Sequence, residues 1–179
     1  MSKRGLLITI FDWFSAFLFL ATGIVVLILR HNASVYDHII LGSVTLIVGF
    51  VKIATYFMSC AFKDPKDISI IVGGAMVALG FIFIFSDYDI ASLCFGWGIL
   101  EIVASGIEIH QKSQMIKHEP LSIVEVVIAV GSLAFAIILC IKTTDALNGH
   151  LIFLGISLIL LGIYLATNRI IEIIKRKKQ

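Results

Sequence analysis

The sequence predicts an all-α polytopic membrane protein, with six transmembrane helices arranged as three parallel repeats of one helical hairpin. Three observations lead there. The composition is too apolar for a soluble core, the apolar residues fall into six long blocks, and a pattern of small residues recurs about every 57 residues. Of 179 residues, 59% are hydrophobic and 15% are charged, with a mean hydropathy of +1.05. An ordinary globular domain is ~45–50% apolar and ~25% charged. No soluble fold of this length could bury so much apolar surface.

The first block, Leu6–Leu29, follows Lys3 and Arg4. It is long for a signal peptide, and Leu29-Arg30-His31-Asn32 offers no small-x-small cleavage site, so it reads as a retained helix. The others are Ile39–Phe57, Ile68–Phe85, Ile90–Ile109, Leu121–Ile141 and Leu151–Ala166, the last continuing toward Ile174. At ~1.5 Å per residue, most can cross a hydrocarbon layer of ~30 Å. The runs are continuously apolar without alternation, which selects helices over barrel strands. Short outer connections make spans 1–2, 3–4 and 5–6 antiparallel hairpins.

The repeat is carried by glycine. Gly42 and Gly49 in span 2 correspond to Gly98 and Ser105 in span 4 and to Gly155 and Gly162 in span 6. In the odd spans Ala16/Gly23 corresponds to Gly73/Gly80, and Phe135-Ala136-Ile137 is a degenerate third copy. The units are residues 1–62, 63–118 and 119–179 of a single transmembrane domain. Each unit crosses the membrane twice, so the copies are parallel, related by an axis along the membrane normal. Positions seven apart share a helix face. These pairs therefore form smooth stripes expected at helix–helix contacts, where close backbone approach drives association in lipid.

Basic residues set the expected orientation. Lys3, Arg4, Lys63, Lys66, Lys112, Lys117, Arg169, Lys175, Arg176, Lys177 and Lys178 fall on one side of a six-span chain, against Arg30 and Lys142 on the other. The positive-inside rule then puts both termini in the cytoplasm of a cell (inner or plasma) membrane protein. The basic tail Lys175–Lys178 reads as an anchor on the anionic inner leaflet. The outer loops carry His31, His38 and His150, which would gain charge as external pH falls; ordinary loop polarity is the alternative. The three cysteines, Cys60, Cys94 and Cys140, have no metal-motif spacing and read as small buried hydrophobes.

Ionisable residues inside spans cost ~2.5–3.5 kcal/mol near a helix centre, so they need a reason to be there. The candidate intramembrane polar cluster is Glu101, Glu108, Lys52, Asp12 and Glu125. Glu101 sits near mid-membrane, with Glu108 seven residues on and on the same face. Lys52 occupies the repeat position of Glu108, and Asp12 and Glu125 are near-equivalent at the inner ends of spans 1 and 5. In one reading Glu101 titrates protons or binds an ion, while Lys52 pairs with Glu108, Asp12 or Glu125. In the other the group is structural glue, with the shallower members reaching the interface.

The repeated small-x6-small stretches, the run Asp67-Ile68-Ser69-Ile70-Ile71-Val72-Gly73-Gly74 through Phe85, and the polar, basic tails of the even spans (Ile109-His110-Gln111-Lys112 and Ala166-Thr167-Asn168-Arg169) together resemble the HdeD family of acid-resistance membrane proteins. The resemblance covers nearly the whole chain and implies six spans in an inner-membrane protein linked to acid stress. It supplies no catalytic residues. One departure is that relatives often carry proline in the outer turns, whereas Pro65 and Pro120 are both on the inner side here. No nucleotide-binding glycine loop, His-Glu-x-x-His motif or nucleophile–histidine pairing is present. No catalytic, metal or cofactor-binding residue is expected, and hence no cofactor. The expected partners are the lipid bilayer and a second copy or another membrane protein, not nucleic acid. The expected function is a non-catalytic HdeD-type membrane protein in acid or envelope stress protection. The alternative is a small transporter or channel for protons or ions with Glu101 in the path.

Overall fold

The computed structural model describes residues 3–29, 37–59, 69–85, 90–116, 122–141 and 147–178. All six segments are helical: α1 Lys3–Leu29, α2 Asp37–Ser59, α3 Ser69–Phe85, α4 Ile90–Met115, α5 Ser122–Cys140 and α6 Leu147–Lys178. Among the described residues there is no strand. Each predicted span lies within or close to one helix. The differences are extensions at polar ends: α4 runs on to Met115 and α6 to Lys178, because the residues that follow the apolar blocks are themselves good helix formers. His31 and Cys60, and the basic residues Arg30, Lys63, Lys66, Lys117 and Lys142, lie outside the described residues.

Among the described residues, four helices are long and apolar enough to cross a membrane, over Ile8–Ile28, His38–Met58, Ser122–Cys140 and Leu151–Ile171; Ile70–Phe85 is a shorter apolar helix. The distribution of polarity agrees. Phe17, Ile28, Ile71, Val127 and Phe85 are all more than 60% exposed, while Ser15, Thr45, Glu101, Ser105, Glu125, Ser132 and Ser157 are buried. A surface of large apolar side chains around a partly polar interior belongs in lipid, where the exterior has no need of hydration.

The helices close into a ring in chain order, with α4 also touching α6 across it. The most extensive contacts are α2 with α3, α1 with α6 and α4 with α5. The expected hairpin partners α1–α2, α3–α4 and α5–α6 are neighbours, but they pack less extensively. The small-residue stripes explain the order. A Cβ on Gly42 would lie 2.9 Å from the carbonyl oxygen of Gly80, and one on Gly49 2.9 Å from that of Gly73. The Gly23 position meets the Gly155 carbonyl at 2.7 Å, and Gly162 meets that of Ala16 at 3.0 Å. Gly98 meets the Ala136 carbonyl at 2.9 Å, so the degenerate odd-span copy completes a third seam. All three seams run antiparallel. Backbone meets backbone there, and the hairpin contacts lack that close fit.

The apolar core is Phe19, Leu41, Val48, Met76, Phe83, Cys94, Trp97, Leu139, Leu151, Leu154 and Leu158. Most of it lies in the half of the bundle away from the two termini. The terminal half holds the buried charged residues Glu125 and Arg169.

Candidate functional site: a polar interior at the terminal end

The five predicted polar residues occupy one end of the interior, distributed over α1, α2, α4 and α5, with α6 supplying much of what they touch. Glu101 is the deepest. It is 2% exposed, in the middle of α4. Its Oε2 accepts a hydrogen bond from Trp97 Nε1 at 3.1 Å, one turn earlier, and another from the Ser157 hydroxyl of α6. Trp97 Nε1 also lies 3.4 Å from Ser157 Oγ. The other oxygen, Oε1, is buried without a hydrogen-bond partner among the described residues. Phe19 of α1 packs edge-on against Trp97, with ring centroids 6.0 Å apart.

Two turns toward the terminal end, Glu108 accepts a hydrogen bond from the buried Tyr164 hydroxyl of α6 and feels the charges of Lys52, Lys112 and Glu125. Lys112 closes the next layer. Its Nζ lies 3.0 Å from Glu125 Oε2 on α5 and donates to Asn168 Oδ1 on α6 at 3.2 Å. Glu125 is fully buried. Lys112 lies in the last turn of α4 and Glu125 in the first turn of α5. Each therefore also faces the favourable end of its own helix dipole. At the edge, Arg169 of α6 forms an ion pair with Asp12 of α1.

Of the expected pairings for Lys52, the structure sets it against Glu108 electrostatically. Asp12 and Glu125 have different cations, Arg169 and Lys112. Both cations read in the sequence as cytoplasmic-side charges. A signal that could have found them exists: Arg169 follows Lys112 by 57 residues, the spacing expected of the repeat, and Asp12 and Glu125 stand close to twice that spacing apart. Tyr56 and Ser69 hold the corresponding positions at the α2–α3 seam. The α4–α6 contacts are also in register: Glu101 with Ser157, Glu108 with Tyr164 and Lys112 with Asn168 are each 56 residues apart. The two helices run parallel at constant height. Trp97, Ser157 and Tyr164 carry no motif and had no sequence signal beyond their place in apolar runs.

The packing residues Gly42, Gly49, Gly98, Gly155 and Gly162 stand at the seams, as described above, and Ser105 is buried on α4. His38, in the first turn of α2, is half-buried. Cys94 is buried and Cys140 half-buried, neither of them in a disulfide. Among the described residues no group of three or more His, Cys, Asp or Glu could hold a metal ion. Chemically, the arrangement offers hydrogen-bonded carboxyls and counter-charges but no nucleophile set beside a base.

Comparison with known proteins adds no relative: no family model, curated protein or solved structure matches the chain.

Proposed function

We propose that the chain is a non-catalytic integral membrane protein of a cell (inner or plasma) membrane. It has six spans, formed by three hairpin repeats about an axis along the membrane normal, and both termini are cytoplasmic. Its role is in acid or envelope stress protection. The stress role rests on the resemblance to the HdeD family. The non-catalytic, non-conducting part rests on one observation: among the described residues the buried charge ends at Glu101, and beyond Trp97 the buried side chains are apolar apart from the neutral Thr22 hydroxyl. A conducting path needs polar lining through the full thickness or broken helices at mid-depth. Here the buried charges are instead tied to partners on neighbouring helices, the arrangement of a cross-braced bundle.

Proton flux into proteoliposomes under an imposed pH gradient tests this. Folded protein that conducts no more than empty vesicles supports the reading. Flux that Glu101→Gln removes would replace it with the second reading, a proton or ion pathway through Glu101, which the unpartnered Oε1 favours. Survival of a deletion strain at low external pH tests the stress role separately: survival equal to the parent strain's would remove it.

A further inference from the structure

Glu101 differs from every other carboxyl in the interior. Glu125 has Lys112, Asp12 has Arg169, and Glu108 has Lys52 and Lys112 nearby. The charged partner facing Glu101 is another carboxyl, Glu108, and its close partners are the neutral donors Ser157 and Trp97. Its Oε1 is buried and unpartnered among the described residues. An ionised group in such a place, without a cation beside it, is strongly disfavoured. The cation that fits there without further room is a proton.

Access is one-sided. Away from the termini, Trp97 caps the carboxyl, and Phe19, Leu41, Phe83, Cys94, Leu151 and Leu154, all at most 4% exposed, fill the space beyond together with the buried but uncharged Thr22. Toward the termini, polar groups follow at successive turns. Ser105 comes first, buried one turn on, and then the Tyr164–Glu108 pair, about 10.5 Å along the helix from Glu101. The Lys112–Glu125–Asn168 layer comes next, with Lys112 19% exposed. Among the described residues, the charged groups around this path are Glu108 from α4, Arg169 from α6, Glu125 from α5, Lys52 from α2 and Asp12 from α1, with the Tyr164 hydroxyl beside Glu108, whereas the titratable group described at the opposite end is His38, half-buried in the first turn of α2. On α5, the buried Ser132 hydroxyl is likewise without a hydrogen-bond partner among the described residues. It stands on the α4-facing side with Ala129 and Ala136.

We propose that Glu101 is a proton-binding site in exchange with the terminal face of the bundle alone, so that the protein registers pH on that face and not on the other. Binding or release of the proton changes what the Ser157 hydroxyl and the Trp97 indole donate to, and so acts on the α4–α6 contact. This rests on the non-conducting reading above, and the two fail separately. Flux through folded protein removes that reading, whereas titration from the wrong face removes this one.

Trp97 is a built-in reporter, since Trp13 is the only other tryptophan. In a Trp13→Phe background, the full-length protein is reconstituted in one orientation, established by protease access to an N-terminal tag. Emission is then followed just after pH is changed on one face with impermeant buffer. The expected result is a one-proton change in Trp97 emission when the terminal-face pH is varied, no change from the opposite face, and loss of the change in Glu101→Gln. A response to the opposite face, no response in folded protein, or a response that survives Glu101→Gln would overturn the proposal. Should Glu101→Gln not fold, Ser157→Ala serves in its place. It removes one of the two donors to the carboxyl and should move the midpoint; an unmoved midpoint would also overturn the proposal.

Discussion

At the scale of single residues, the interior sorts its carboxyls by partner. Glu101 accepts from two neutral donors and so holds α4 to α6 through Ser157. Glu101→Leu would leave the Trp97 and Ser157 donors without their acceptor, at a cost of about 1–3 kcal/mol. Glu101→Gln retains an acceptor and should cost less. Thermal melting in detergent ranks the two, and wild-type melting for the leucine variant would show that the hydrogen bonds contribute nothing to stability. Lys112 and Glu125 behave differently because both carry charge. Lys112→Ala strands a fully buried carboxylate and should destabilise by about 3–5 kcal/mol. The double variant Lys112→Met with Glu125→Leu removes both charges and should recover most of that loss. A double variant no better than the single one would mean that the pair is not the reason for the loss. The five polar positions were legible from sequence because charge stands out in apolar runs. Their partners were not. Lys112 and Arg169 sit at span ends, where a basic residue is ordinary, and nothing local says that it turns inward.

At the scale of elements, the helices are held at three antiparallel seams where small residues let backbones meet. Gly80 and Gly74 test this on one helix. A side chain at Gly80 would strike the Gly42 carbonyl at 2.9 Å, while one at Gly74 meets nothing within 4 Å. Gly80→Leu should therefore lower the melting temperature sharply or abolish folding, and Gly74→Leu should leave it near wild type. Similar losses for both would mean that the effect comes from glycine content rather than from the seam. The stripes themselves were readable, since a spacing of seven on a helix is a face. Their pairing was not, because stripes with the same period are interchangeable by sequence. Short outer connections argued for α1–α2, α3–α4 and α5–α6. The more extensive contacts lie across the other boundaries, where glycine meets a backbone carbonyl.

At the scale of the whole molecule, the polar and apolar halves of the interior face opposite ends. A ring of alternating helices puts the N-terminus of α1 and the C-terminus of α6 at the same end. Lys3→Cys and Lys178→Cys, each in a background lacking Cys60, Cys94 and Cys140, should label from the same side of sealed vesicles with an impermeant thiol reagent. On the proposed orientation that side is cytoplasmic. Labelling of the two from opposite sides would rule out an even number of spans.

The sequence alone determined the class of the molecule: an all-helical fold with an apolar exterior, the positions of its helices and its few interior charges. These follow from composition and from periodicity along one helix, which are local properties. Tertiary structure decided which stripe meets which, which cations Glu125 and Asp12 face, and that Glu101 lies where the buried charge stops. Those depend on the heights and rotations of six helices packed together, and no single helix carries that information.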